Sequence, residues 1–164
     1  MLKQFLTRSD VLWISFIAYV CLSLGFVLVM QAWDFLVIDE LFIADDILAH
    51  LAGMSALQKE VHVLTTATLD VAYPFAYGIF QAGMAYRFLG RWGKWIAPLS
   101  LICIPIDLVE GFAQVMLLSG ALDYVDLKVI VTPMKLAVYV PGLLFALVAL
   151  VILVYRTVRR WRGI

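Results

Sequence analysis

Apolar residues are gathered into four long stretches, separated by short polar segments. They cover about 11–33, 63–87, 95–119 and 130–155. A helix of about 20 predominantly apolar residues is long enough to cross the hydrocarbon core of a bilayer. The pattern therefore predicts an all-α, polytopic membrane protein with four transmembrane helices.

Composition supports lipid as the solvent. Of the 164 residues, 65% are hydrophobic, and the mean hydropathy is +1.00. A soluble domain is usually about half apolar. Cys21 and Cys103 stand singly, so spacing supports neither a disulfide framework nor a zinc site. We find no nucleophile elbow, zinc motif or phosphate loop, and the sequence indicates no particular cofactor and no nucleic-acid partner.

The uneven distribution of charge predicts the orientation. Nine of the twelve Lys and Arg residues fall at one side of the four stretches: Lys3, Arg8, Arg87, Arg91, Lys94, Arg156, Arg159, Arg160 and Arg162. Basic residues favour the cytoplasmic side, and four spans place both termini there. We expect a bacterial inner-membrane protein with cytoplasmic N and C termini and acidic outer loops.

The first outer loop contains a short helix of its own. The segment IADDILAHLAG has apolar residues at helical spacing and ends at Gly53, which predicts a helix over about 44–53, lying flat on the outer surface. Ser55 and Gln58 have the form of a capping box that would begin a long helix from Ala56 to Phe88. No repeat or linker divides the chain, so 1–164 is predicted to be a single domain.

Polar residues recur three and four positions apart along three of the spans, so they share helix faces. We call this set the polar seam. Its candidate binding or proton-handling residues are Thr66, Asp70, Tyr73 and Tyr77 in span two, Asp107, Glu110 and Gln114 in span three, and Lys135 in span four.

The charged members of the seam lie at overlapping depths in the outer half of the bilayer. A charge that faces lipid costs about 2.5 to 3.5 kcal/mol, so we expect Asp70, Asp107, Glu110 and Lys135 to turn inward and meet. Three acids against one lysine leave two excess negative charges, and we expect at least one carboxyl to share a proton with its neighbour. Pro74 cannot donate a hydrogen bond to the carbonyl of Asp70, which predicts a kink there.

Structural and functional interpretations of the seam both stay open. A buried ionic cluster can hold helices in register, and it can equally handle ions or ligands. The first interpretation is a non-enzymatic component, either an accessory subunit of a larger membrane complex or a small binding protein. Its expected partners are the lipid bilayer and either further copies of the chain or the larger complex. The second is a small transporter or proton relay. The third is an intramembrane enzyme acting on lipid, for which the sequence offers neither a nucleophile nor a metal triad.

The segments LDVAYPFAYGIF and IDLVEG resemble an uncharacterised family of small four-span bacterial membrane proteins. That family has Leu-Asp-x-x-Tyr-Pro-x-x-Tyr in span two and Asp-Leu-x-Glu in span three. The resemblance covers Leu41 to about Tyr139 and includes the lysine of span four. It implies the four-span fold but no activity. Members often have asparagine after the glutamate, where this chain has Gly111.

Overall fold

A computed structural model describes residues 1–161, apart from the side chains of Glu40, Thr157, Arg160 and Trp161. Arg162 and the side chain of Arg160 therefore lie outside the described residues. Both are among the nine basic residues that predict the orientation. The α-helices are α1 Leu2–Leu6, α2 Ser9–Trp33, α3 Ala44–Gly53, α4 Ala56–Thr65, α5 Val71–Phe88, α6 Gly93–Leu118 and α7 Val125–Trp161. A π-helical turn, Thr66–Asp70, joins α4 to α5, and 3-10 turns occupy Ile38–Glu40 and Leu122–Tyr124. No strand occurs among the described residues, so the all-α prediction is confirmed.

Three helices in the described part of the chain are long and apolar enough to cross a membrane: Ser9–Trp33, Gly93–Leu118 and Leu122–Arg156. They correspond to the predicted first, third and fourth spans. The predicted second span is not among them. Helical structure does run from residue 56 to residue 88 as expected, but it changes type at the π turn, and its polar stripe makes it less apolar than the other three.

Helix α5 occupies the centre of the bundle. It packs against α2, α6 and α7, and small residues line much of its buried surface. A Cβ atom added to Gly78 would lie 2.8 Å from the side chain of Ile104, so the glycine allows α5 and α6 to approach closely. The short connections after Phe88 and Leu118 make α5, α6 and α7 successive antiparallel neighbours, as their lengths predict.

We call the end of the bundle that carries α3 the outer end, after the predicted orientation. Ile47 and Leu51 of α3 are buried in one apolar cluster with Leu117 and Leu118 of α6. The expected helix therefore forms with the expected bounds, but its apolar face packs on the bundle. The capping box before α4 is present, with Ser55 and Gln58 each accepting a hydrogen bond from the other's backbone N–H.

The opposite, inner end is closed by α1, which the apolar pattern did not predict. Leu6 is 1% exposed and packs against Ala82 and Ala85 of α5 and against Ile96 and Ala97 of α6. Arg87 extends from α5 towards the segment after α1, where its Nη1 atom donates hydrogen bonds to the Thr7 carbonyl and to the Ser9 hydroxyl.

Candidate functional site

Lys135 of α7 is the centre of a buried ionic network. Its Nζ atom lies 3.2 Å from Asp39 Oδ2 and 3.0 Å from Asp107 Oδ1, and it also forms an ion pair with Glu110 Oε2. One ammonium group therefore contacts carboxylates from the 3-10 turn of the first loop and from two successive turns of α6. A charge buried this deeply is tolerated because oppositely charged groups surround it.

A second lysine, Lys128, completes the network from one helical face of α7. Its Nζ atom donates hydrogen bonds to Glu110 Oε1 at 3.1 Å and to Thr132 Oγ1 at 3.0 Å. The Thr132 hydroxyl in turn donates to the same Glu110 oxygen. Lys128, Thr132 and Glu110 are all fully buried. Glu110 is thus held between two ammonium groups, one on each carboxylate oxygen.

The first loop reaches into the bundle through Asp39. Its Oδ1 atom accepts a hydrogen bond of 2.8 Å from Gln114 Nε2, and its Oδ2 atom pairs with Lys135. Burial alone would raise the pKa of the Asp39 carboxyl. The attraction of Lys135 and Lys128 and the hydrogen bond from Gln114 outweigh burial, so this pKa lies below its ordinary value.

Tyrosines surround the network on its inner side. Tyr77 donates a hydrogen bond of 3.0 Å to Asp107 Oδ2, and its hydroxyl also lies 3.1 Å from the sulfur of Cys103. The rings of Tyr73 and Tyr139 pack edge-on against Tyr77, with centroids 5.4 and 4.8 Å away. The hydroxyls of Tyr139 and Tyr19 are 3.0 Å apart, which joins α7 to α2.

Asp70 differs from the other three carboxylates. It ends the π turn, and its residue is only 7% exposed, yet it forms no hydrogen bond or ion pair with any described residue. It lies against Gly111 of α6, where an added Cβ atom would be 3.4 Å from Asp70 Oδ2. A π turn shifts the register of a helix by one residue, and such turns often occur at functional sites. Here it directs an unpaired carboxyl towards open space.

That space is a cavity of about 440 Å³ between α2, α5 and α7, which we call the outer cavity. Asp39, Asp70, Asp107 and Lys135 line it, and its remaining walls are mostly aromatic or aliphatic: Phe26, Met30, Tyr73, Tyr77, Leu136 and Tyr139. A smaller cavity of about 260 Å³ lies on the other side of Asp70 and Asp107, between the π turn and α6, and includes Thr66 and Gly111. Asp70 therefore borders two cavities.

The structure brings most of the polar seam together. Asp107, Glu110 and Lys135 meet directly, Tyr77 bonds to Asp107, and Gln114 joins through Asp39. Asp70, Tyr73 and Thr66 line cavities beside the network. Asp70 does not contact Lys135, contrary to the expectation that all four charges would meet.

Two members of the network were missed from the sequence, Asp39 and Lys128. Both lie outside the predicted spans, of which the second begins at 63 and the fourth at 130. A signal was present for Lys128, which precedes Thr132 and Lys135 by four and seven residues and so continues their helix face. Asp39 lies beside Glu40 in the non-periodic segment LVIDELF, which gives no such signal.

No family model matches the chain, and no solved structure does.

We predict that replacing Lys128 by methionine destabilises the protein strongly. The change leaves Glu110 Oε1 in a fully buried position without its ammonium partner, and breaking a buried ion pair from one side costs about 3 to 5 kcal/mol. The measurement is the unfolding midpoint of the purified protein in detergent. Lys94→Met, at an exposed lysine, is the control. The double variant Lys128→Met/Glu110→Gln should recover part of the loss, because it removes both charges, and a midpoint unchanged in Lys128→Met would contradict this account.

We also predict that His62 makes stability depend on pH. This side chain is 1% exposed beside the ring of Phe35, and neither ring nitrogen has a hydrogen-bond partner among the described residues. Burial lowers its pKa from 6.5 to about 4, with Asp39 opposing the shift and His50 and Lys128 adding to it. Between pH 6.5 and about 4, His62 is therefore protonated in the unfolded chain but neutral in the folded protein. Protonation of His62 does not lower the free energy of unfolding above pH 6.5. Below that pH it lowers the free energy of unfolding by about 1.4 kcal/mol per pH unit, down to about pH 4.

The measurement is the unfolding midpoint as a function of pH. His62→Phe should flatten the decrease between pH 6.5 and 4, whereas His50→Gln, at the histidine of the outer loop, should leave it in place. An equal slope in His62→Phe and the native protein would show that other groups cause it.

Proposed function

We propose that this protein is a membrane-embedded binding component whose outer cavity holds a small organic cation. The observation that carries the proposal is Asp70, a buried carboxyl without a partner among the described residues that borders a cavity of about 440 Å³. An uncompensated carboxylate in a poorly solvated site is costly. A bound cation would offset that cost, as Lys135 does for the neighbouring carboxylates.

The charge balance and the walls of the outer cavity favour an organic cation. Four carboxylates, Asp39, Asp70, Asp107 and Glu110, face two lysines, which leaves two excess negative charges when all are ionised. Tyrosine and phenylalanine rings stabilise ammonium groups through cation–π attraction, and Phe26, Tyr73 and Tyr139 border the cavity. No group of three or more His, Cys, Asp or Glu side chains in the described part of the chain is arranged to hold a metal ion, so an amine is the better candidate.

The proposal includes the membrane setting predicted from the sequence. In it, α2, α6 and α7 and the helix over 63–87 form four spans of a bacterial inner membrane, with both termini in the cytoplasm and the outer cavity facing the outer leaflet. The two segments that resemble the four-span family contribute Asp70, Tyr73, Tyr77 and Asp107 to the cavity. A role as the ligand-binding member of a larger membrane complex is compatible with this arrangement.

The four-span orientation predicts which side of the membrane each loop occupies. In a Cys21→Ser background, a cysteine introduced at Asp45 should react with a membrane-impermeant maleimide in intact cells. A cysteine introduced at Arg91 should react only after the membrane is permeabilised. Both positions are exposed, so a lack of labelling reports location and not burial. Labelling of both, or of neither, in intact cells would rule out the orientation.

Ligand binding at Asp70 is tested with the purified protein in nanodiscs. We expect n-butylammonium or tetramethylammonium to raise the unfolding midpoint and n-butanol, a neutral analogue of similar size, to have no such effect. Asp70→Asn should weaken the affinity for n-butylammonium by at least about tenfold, since a hydrogen bond to a charged group contributes about 1.5 to 3 kcal/mol. Tetramethylammonium, which has no N–H group, should lose only the attraction to the charge. Asp45→Asn, at an exposed carboxyl of α3, is the control. Equal effects of cation and alcohol, or retained affinity in Asp70→Asn, would contradict the proposal.

A transporter or proton relay is the second candidate, and one observation favours it. Asp70 and Asp107 border both the outer cavity and the smaller cavity between the π turn and α6, so a proton or cation at these carboxyls has two possible exits. In proteoliposomes, a relay would carry a cation or proton current that Asp70→Asn abolishes. Cation binding without any current would favour the binding component.

A further inference from the structure

A third cavity, which no step above uses, lies at the inner end of the bundle. It has a volume of about 420 Å³, within the range of cavities that hold small molecules, and it is bounded by α2, α5 and α7. Its walls are apolar: Leu12, Phe16, Phe80, Met84, Phe88 and Leu150. Among the described lining residues, only Ser9, Arg87 and the indole of Trp13 carry polar side-chain groups.

Arg87 gives this inner cavity a charged mouth. The guanidinium group is on the exposed side of α5, and its Nη1 atom is fixed by the Thr7 carbonyl at 3.3 Å and the Ser9 hydroxyl at 2.9 Å. No described residue accepts a hydrogen bond from Nε or Nη2. The planar fork of a guanidinium matches a phosphate group. The cavity therefore combines an apolar interior with a guanidinium group whose position is fixed through Nη1.

The shape of the bundle explains why protein side chains leave the cavity unfilled. Helices α2 and α7 both pack on α5, and the hydrogen bond between Tyr19 and Tyr139 joins them near the middle of their length. Beyond that bond, Phe80 and Met84 of α5 form the floor between them. Val154 and Val158, at the rim on α7, are 54% and 45% exposed, so the cavity is open sideways, towards the acyl chains in the proposed membrane setting.

We infer that the inner cavity is a binding site for one anionic phospholipid of the inner leaflet, with an acyl chain between α2 and α7 and the phosphate on Arg87 and Ser9. Basic cavities between transmembrane helices on the cytoplasmic side are suited to anionic head groups. The inference rests on the proposed membrane orientation but not on the cation proposed for the outer cavity.

Native mass spectrometry of the full chain tests the head group. The protein is released from vesicles that contain equal amounts of phosphatidylglycerol and phosphatidylethanolamine with the same acyl chains. We expect one retained phosphatidylglycerol, favoured over phosphatidylethanolamine because the ammonium group of the latter neutralises the phosphate charge that attracts Arg87. Arg87→Gln should remove the preference, and Arg91→Gln, at the exposed arginine of the next loop, should keep it. Equal retention of the two lipids, or an equal effect of both variants, would overturn the inference.

A second pair of variants tests the acyl-chain position without touching Arg87, whose contacts with Thr7 and Ser9 also hold the chain before α2. Val154→Trp should fill the rim of the cavity and abolish lipid retention. Val151→Trp lies one turn earlier on α7, is 68% exposed and does not line the cavity, so it should retain the lipid. A lipid still bound in Val154→Trp would overturn the inference. The maleimide-labelling and cation-binding experiments do not depend on whether a lipid is retained. A negative lipid result is therefore distinct from failure of the proposed function.

Discussion

The contact of Lys135 with three carboxylates is the interaction on which the outer half of the molecule depends. A lone ammonium group or carboxylate would be costly in a lipid-surrounded bundle, so the groups are placed where each has an oppositely charged neighbour. Because Asp39 belongs to the first loop, Asp107 and Glu110 to α6, and Lys135 to α7, satisfying this one charge fixes three parts of the chain relative to one another. Tyr77 adds α5 through Asp107.

Asp70 is the exception to this pairing of buried charges. Lys128 and Lys135 form ion pairs with Asp39, Asp107 and Glu110. No described residue forms one with Asp70. The π turn and Gly111 place Asp70 against α6 and beside the outer cavity. If the carboxylates served only to hold the helices in register, a buried carboxyl without a partner among the described residues would reduce stability and add no contact between helices.

The sequence predicted the parts of the site that follow from helical periodicity and depth. Asp107, Glu110 and Lys135 had to turn inward and lay at similar heights, so their meeting followed from the helical rise and the cost of charge in lipid. The long helix from Ala56 to Phe88 and the bounds of α3 followed from caps and spacing in the same way.

The remaining parts do not follow from the four apolar stretches. The path of residues 34–43 brings Asp39 into the bundle through a 3-10 turn, and nothing in a non-periodic loop indicates that path. Helix α7 begins at Val125, five residues before the apolar stretch that defined the predicted span, which is why Lys128 was placed outside. The π turn was likewise absent from the prediction, because Pro74 indicates a freed carbonyl but not how the preceding turn adjusts.

The π turn and helix α5 together present two kinds of side chain along the side that faces α2 and α7. Asp70, Tyr73 and Tyr77 border the outer cavity, whereas Phe80, Met84 and Arg87 border the inner cavity. The change occurs at the level where Tyr19 and Tyr139 join α2 to α7 and where Phe80 packs on Tyr19. This aromatic layer separates the two cavities. A polar ligand that enters from the outer end therefore meets Tyr139 and Tyr77 before any apolar surface below them, and passage to the inner end would require the Tyr19–Tyr139 bond to open. A closed aromatic layer of this kind favours the proposed binding component over the proposed transporter.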